Sequence, residues 1–133
     1  MTRYLVDTSA WIEYMRKTGS AANLFVRKLI ENGEPIYLTE PVIMELLAGA
    51  TPRTIGRLEK LTGAFPVLRM DAAIDYHEAA RIYRTVRSSG DTPRNHVDCL
   101  IAAVAARTEA VVVHADRDFR IIAQRYPLEL APG

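Results

Sequence analysis

The sequence predicts an α/β fold, an α/β/α sandwich around a mostly parallel sheet of four to five strands. Three observations predict it. Short apolar, β-like runs recur along the chain, segments of helical character separate them, and acids stand directly behind the first and last clear runs. Strands alternating with helices form βαβ units, which give a parallel sheet with helices on both faces. Right-handed crossovers then gather the carboxyl ends of the strands along one edge, where open α/β sheets bind ligands.

The β-like runs are 4–6, 36–38, 67–68, 111–113 and 128–130. Helices are expected over 9–17, 21–32, 41–49, 52–62, 71–88, 95–107 and 119–126. Gly33, Gly49, Gly63 and Gly90 punctuate helix ends, while Pro41 and Pro52 suit first-turn positions. No repeat, linker or low-complexity tract interrupts the pattern, so residues 1–133 read as one domain. A chain of this length buries roughly two-thirds of its unfolded surface without disulfides or a structural metal.

Composition narrows the function. The formal net charge is +1, so any polyanion site is a local patch and not a basic tail. The three lysines are Lys17, Lys28 and Lys60, leaving 17 − 3 = 14 arginines, the better bidentate phosphate ligand. Cys99 is the single cysteine, which excludes an intrachain disulfide and a cysteine-built zinc site. Asp7 and Glu13 break any secretory leader pattern, and no apolar run reaches the roughly 18 residues of a membrane span. A soluble, cytoplasmic protein is expected.

Four carboxylates occupy apolar settings. Asp7 ends the run Tyr4-Leu5-Val6, Asp116 follows Val111-Val112-Val113, Glu45 lies within Val42-Ile43-Met44-Glu45-Leu46-Leu47, and Asp98 heads Cys99-Leu100-Ile101-Ala102-Ala103-Val104. Each has an ordinary alternative. Asp98 can be a dipole-favoured third residue after an Asn95 cap, and Asp116 a cap with Asp118 in the first turn. Asp7 can be a turn residue ahead of a Thr8 or Ser9 cap, and Glu45 can pair with an arginine or face a thin polar stripe. Together, however, acids without nearby cations repel one another, and a divalent ion relieves that conflict. All-oxygen donors suit Mg²⁺ or Mn²⁺, which orient water for attack on a phosphodiester. Thr8 or Ser9 can serve such a site by holding water or phosphate.

These motifs, in this order and across essentially the whole chain, resemble the PIN domain. The closest likeness is to the VapC-type ribonuclease toxins of prokaryotic toxin–antitoxin pairs. The resemblance implies a Mg²⁺- or Mn²⁺-dependent endoribonuclease with Asp7, Glu45, Asp98 and Asp116 as metal-binding acids. It makes Asp118 an auxiliary acid and places Thr8 or Ser9 among the polar groups around them. It further implies a homodimer and an antitoxin whose tail covers the cleft. His114 departs from the family, which more often has Thr or Ser there; it is a neutral spectator or a partner of the acids.

Other features carry more than one reading. Arg81, Arg84 and Arg87 fan over about 120° of one predicted helix, opposite a stripe of Ala72, Tyr76, Ala79, Tyr83 and Val86. They form either a solvated face or an RNA-phosphate track joined by Arg94. Trp11, Ile12, Tyr14 and Met15 fit the core or a protein contact, and His77 and His96 lack metal-ligand spacing. An aspartate-nucleophile phosphatase is disfavoured, because Arg120 stands where that motif has Thr or Val. A phospho-receiver lacks its late lysine. The competing readings are a PIN nuclease of RNA processing or DNA cleavage, and a non-catalytic PIN-like binding module.

Overall fold

Three parallel strands, in the spatial order Ile36–Tyr37, Tyr4–Val6 and Val111–Val113, form the centre of the molecule, in a computed structural model that describes residues 1–92 and 95–132. The strands are β1 (Tyr4–Val6), β2 (Ile36–Tyr37) and β3 (Val111–Val113). Tyr4 is in register with Ile36 on one side and with Val111 on the other. The connection after β1 therefore leads one way and the later one the other way, so β1 ends at a topological switch point.

The two further β-like runs flank this sheet as single bridges, not as full strands. Leu38 bridges Val67 and Val112 bridges Leu130, both parallel. Pro66 lacks an N–H and only accepts, from Leu38 N at 2.9 Å. Pro127 and Pro132 bracket the last run. Proline removes ladder donors, which confines these segments to the edges.

Seven helices are described: α1 (Thr8–Met15), α2 (Ala21–Glu31), α3 (Glu40–Ala48), α4 (Ile55–Ala64), α5 (Asp75–Ser88), α6 (His96–Arg107) and α7 (Arg117–Arg125). The result is an α/β/α PIN-like fold. Helix α2 starts at a Ser20 cap and stops where Gly33, at φ 64°, lets Glu34 N reach back to Leu29 O at 3.0 Å. That six-to-one bond satisfies a last-turn carbonyl and needs the left-handed residue.

Helix α6 explains its own apolar sequence. Ile101, Val104 and Ala105 pack into the sheet-side core with Leu5, Val112 and Phe119. On its other side Cys99, Ala102 and Ala103 pack against Ile82 and Val86 of α5 and Ile122 of α7. A helix buried on two sides has little room for polar positions. Cys99 is a buried thiol, and burial pushes its pKa up to about 12.

Helix α5 corrects the expected stripe. Its buried face is Asp75, Ala79, Ile82 and Val86, whereas Tyr76 is 56% exposed and Ala72 precedes the helix. Long-range pairing sets this rotation. Arg107 donates to both carboxylate oxygens of Asp75, at 2.9 and 2.8 Å, and to Arg69 O at 2.8 Å. Asp75 also accepts from Asp71 N at 2.7 Å. A carboxylate so satisfied can be buried, where an unpaired one would be excluded. Helix α3 is likewise less enclosed than its apolar sequence implied. Pro41, Val42 and Leu46 are buried, but Met44 is 57% exposed and Glu45 half-buried.

Candidate active site

Asp7 leaves the carboxyl end of β1 and itself caps α1, where the sequence offered Thr8 or Ser9 as the cap. Its Oδ2 accepts from Ser9 N at 3.1 Å and from Ser9 Oγ at 2.6 Å. Ser9 Oγ in turn accepts from Ala115 N at 2.9 Å, beyond the end of β3. This hydroxyl braces the two strand ends that carry acids, across 106 positions of sequence. Nothing local in the sequence signals it. Asp7 Oδ1 is buried with no hydrogen-bond partner among the described residues. Burial raises the Asp7 pKa to about 6 against the opposing pull of the Ser9 bonds, and the charge of Glu45 adds to the rise.

Asp98 sits in the first turn of α6, whose cap is Asn95, its Oδ1 accepting from Val97 N at 2.8 Å. Only 4% of Asp98 is exposed, and its Oδ2 is buried without a hydrogen-bond partner among the described residues. Burial is the largest reason its pKa rises to about 8, followed by the charges of Asp7, Asp116, Glu45 and Asp118. Four other acids thus act on one carboxyl.

Asp116 caps α7 by accepting from Asp118 N at 2.9 Å. Asp118 folds back into the interior with 1% exposure. One carboxylate oxygen from each of Asp98, Asp116 and Asp118 falls within 4.8 Å of the others. The tight group is therefore this triple, with Asp118 a full member. Asp7 and Glu45 flank it and couple to Asp98 through charge. The sequence signal for Asp118 was present, since the first turn after a strand-end cap returns toward the cap, but position alone did not distinguish it from a dipole-favoured surface acid. Glu45 is held by Thr8, whose Oγ1 donates to its Oε1 at 2.8 Å. Both hydroxyls after Asp7 are thus engaged in orienting acids.

The donor set fits a hard divalent cation. The clustered carboxylates of Asp98, Asp116 and Asp118, with a buried oxygen on each of Asp7 and Asp98 that has no donor among the described residues, form the oxygen-rich arrangement that Mg²⁺ or Mn²⁺ requires. Asp98, Asp116 and Asp118 would hold it, with Asp7 alongside. His114 accepts from Asp116 N through Nδ1 at 3.3 Å, its ring centroid lies 5.4 Å from that of Phe119, and burial lowers its pKa. It braces the Asp116 backbone as a neutral ring.

The arginine face divides. Arg81 is bound to Glu78 by two 2.8 Å contacts and lies over the Tyr126 ring. Arg84 and Arg87 are exposed and line a cavity of about 510 Å³ with Met44, Tyr76, Tyr83 and Leu100. Arg87 stacks over Tyr83 at 5.7 Å. Arg94, expected to join them, lies outside the described residues.

Comparison with known proteins follows the same lines. The PIN domain family matches residues 4–124. Ribonuclease VapC11 of Mycobacterium tuberculosis is 48% identical over 129 residues, 96% of each chain. The chain belongs to the PIN-domain VapC family. Its fold resembles solved VapC structures of low identity. VapBC2 from Rickettsia felis, bound to a fragment of promoter DNA, aligns with TM-score 0.76 at 18% identity over 98% of each chain. VapC20 of Mycobacterium tuberculosis, a Sarcin-Ricin loop cleaving toxin, aligns with TM-score 0.67 at 19% identity, covering 95% of this VapC-family chain and 98% of that one.

Proposed function

We propose that this chain is a cytoplasmic, Mg²⁺- or Mn²⁺-dependent endoribonuclease and the toxin of a toxin–antitoxin pair. The observation that supports it most is the meeting of Asp98, Asp116 and Asp118, flanked by Asp7 and Glu45, at the carboxyl edge of a parallel sheet. The name of its relative VapC11 points the same way. When bound, the cation supplies water activation and charge neutralisation on the phosphodiester. The chain's own part is to position: Ser9 fixes Asp7 and the Ala115 backbone, Thr8 fixes Glu45, and the Asn95 cap sets the first turn that bears Asp98. A non-catalytic module fits poorly, because unneutralised buried acids weaken the fold without return. Purified wild-type protein should cleave single-stranded RNA with Mg²⁺ or Mn²⁺, and Asp7→Asn should remove most cleavage and the growth arrest on expression. A folded Asp7→Asn protein that remains toxic would refute the mechanism.

A cavity of about 250 Å³ between α1, α3 and α4, lined by Ile12, Met15, Leu46 and Leu58, ends at Thr8 and Glu45. An apolar antitoxin segment lying there would close the cleft. The homodimer reading is supported by Met44 and Tyr76, large apolar side chains exposed at one groove. Tyr76→Asp should then sediment as a monomer where wild type sediments as a dimer; identical profiles would remove this surface from the interface.

Arg84 and Arg87 remain the candidates for guiding RNA phosphates, and Arg81 is weakened by its Glu78 pair. Each of Arg84→Ala and Arg87→Ala should lower the log–log salt slope of RNA binding by roughly 0.7, with Arg81→Ala lowering it less. Unaltered slopes in the triple alanine variant would return this face to ordinary solvated surface.

A further inference from the structure

A cavity of about 260 Å³ opens between α1, α2 and the start of α7, and the function above does not use it. His114, Ala115 and Arg120 line it, and the first two lead in sequence straight into Asp116. Arg120 is exposed and has no hydrogen-bonding or ion-pair partner among the described residues. His114 accepts the Asp116 N–H through Nδ1, which leaves Nε2 as the nitrogen that carries hydrogen in the neutral ring. The cavity thus has one free guanidinium and one ring donor. Its acid, Glu13, accepts from Thr18 Oγ1 at 3.0 Å through Oε1.

The wall is also held in place before any ligand arrives. His114 is tied to Asp116 N, Ala115 N to Ser9 Oγ, and Asp116 Oδ1 to Asp118 N. Three consecutive residues each have a bond that fixes the loop, and the same bonds tie it to the acids. Donors placed without reorganisation bind more tightly than mobile ones.

We propose that His114 and Arg120 form a phosphate subsite for single-stranded RNA, taking a backbone phosphate that neighbours the linkage presented to the acid cluster. This rests on the nuclease reading. A phosphate is the fitting ligand because it accepts from both donors, and because Ala115, in the cavity wall, is the sequence neighbour of Asp116, so one strand can present a linkage to the acids and a neighbouring phosphate here. Arg120 supplies charge and reach, and His114 supplies a neutral donor that positions without adding charge. Neither group reads a base, so the subsite holds the strand without choosing its sequence.

The test is binding of a labelled single-stranded RNA to the full chain in chelator, which prevents turnover, across a range of salt. Arg120→Ala should lower the log–log salt slope by roughly 0.7, equally for unrelated RNA sequences. Arg120→Lys should keep the wild-type slope. His114→Asn preserves an acceptor for the Asp116 N–H and removes the outer donor, so affinity should fall at every salt with the slope unchanged. Lys28→Ala, on the exposed face of α2, should alter neither. A wild-type slope in Arg120→Ala would overturn the subsite, and if wild type still cleaves RNA with Mg²⁺ and Asp98→Asn does not, the nuclease reading stands without it. An Arg120→Ala variant that keeps the slope but loses a protein partner would equally overturn it, assigning the cavity to that partner.

Discussion

Asp98→Asn is expected to abolish most RNA cleavage while making the cation-free protein more stable at pH 8. The two effects share one cause. Asp98 is buried beside Asp7, Asp116, Glu45 and Asp118, and its pKa rises to about 8 because burial and those charges all oppose its ionisation. Asparagine keeps the shape and removes the charge. The lost activity should reach at least the roughly 10–100-fold that removal of an outer partner costs a metal site. Steady-state cleavage of RNA and a melting curve in chelator check the pair of outcomes. A variant that is inactive and also destabilised would show that Asp98 serves packing, not cation binding.

The second large effect is an inverted pH dependence of stability. For Asp98 the folded pKa, about 8, lies above the ordinary carboxyl value of 3.8, and Asp7 is raised to about 6. In that interval the folded protein binds more protons than the unfolded chain, so stability falls as pH rises. The loss begins near pH 4, as the unfolded carboxyls ionise, and is complete once the folded ones have ionised above pH 8. In chelator, the protein at pH 5 should therefore be more stable than at pH 8, by several kcal/mol and on the order of 10 °C in Tm. Millimolar Mn²⁺ should erase most of the difference, because the ion replaces the protons. A Tm that rises from pH 5 to pH 8 in chelator would contradict the electrostatics assigned to this cleft.

Much of the architecture was legible because it is written in local pattern. Asp7, Asp98 and Asp116 each stand at a boundary between an apolar run and a helix, and boundaries are where caps and strand ends must fall. Helix α6 could be read as buried because its apolar residues cover the whole circumference. What was not legible depends on partners distant in sequence. The face that α5 buries is set by Arg107 reaching Asp75, 32 residues away. The brace from Ser9 to Ala115 spans most of the chain, and without it the hydroxyl resembles any helix-start serine. The apolar run around Glu45 left open whether it faces the interior or a thin polar stripe, and α3 leaves Met44 and part of Glu45 to solvent, since apolar composition does not reveal whether a neighbour covers the face. The short runs around Val67 and Leu130 read as strands but pair through single bridges, because prolines beside them remove donors.

If the clustered acids form one cation site, that site trades protons for a divalent ion. Calorimetric titration of the chelator-treated protein with Mn²⁺ at pH 7, in two buffers of different ionisation enthalpy, tests it most directly. Saturable binding with release of close to one proton is expected, since Asp98 is largely protonated there, and Asp98→Asn should bind far more weakly and release almost none. Absence of binding to wild type, or equal binding and proton release in Asp98→Asn, would contradict the account.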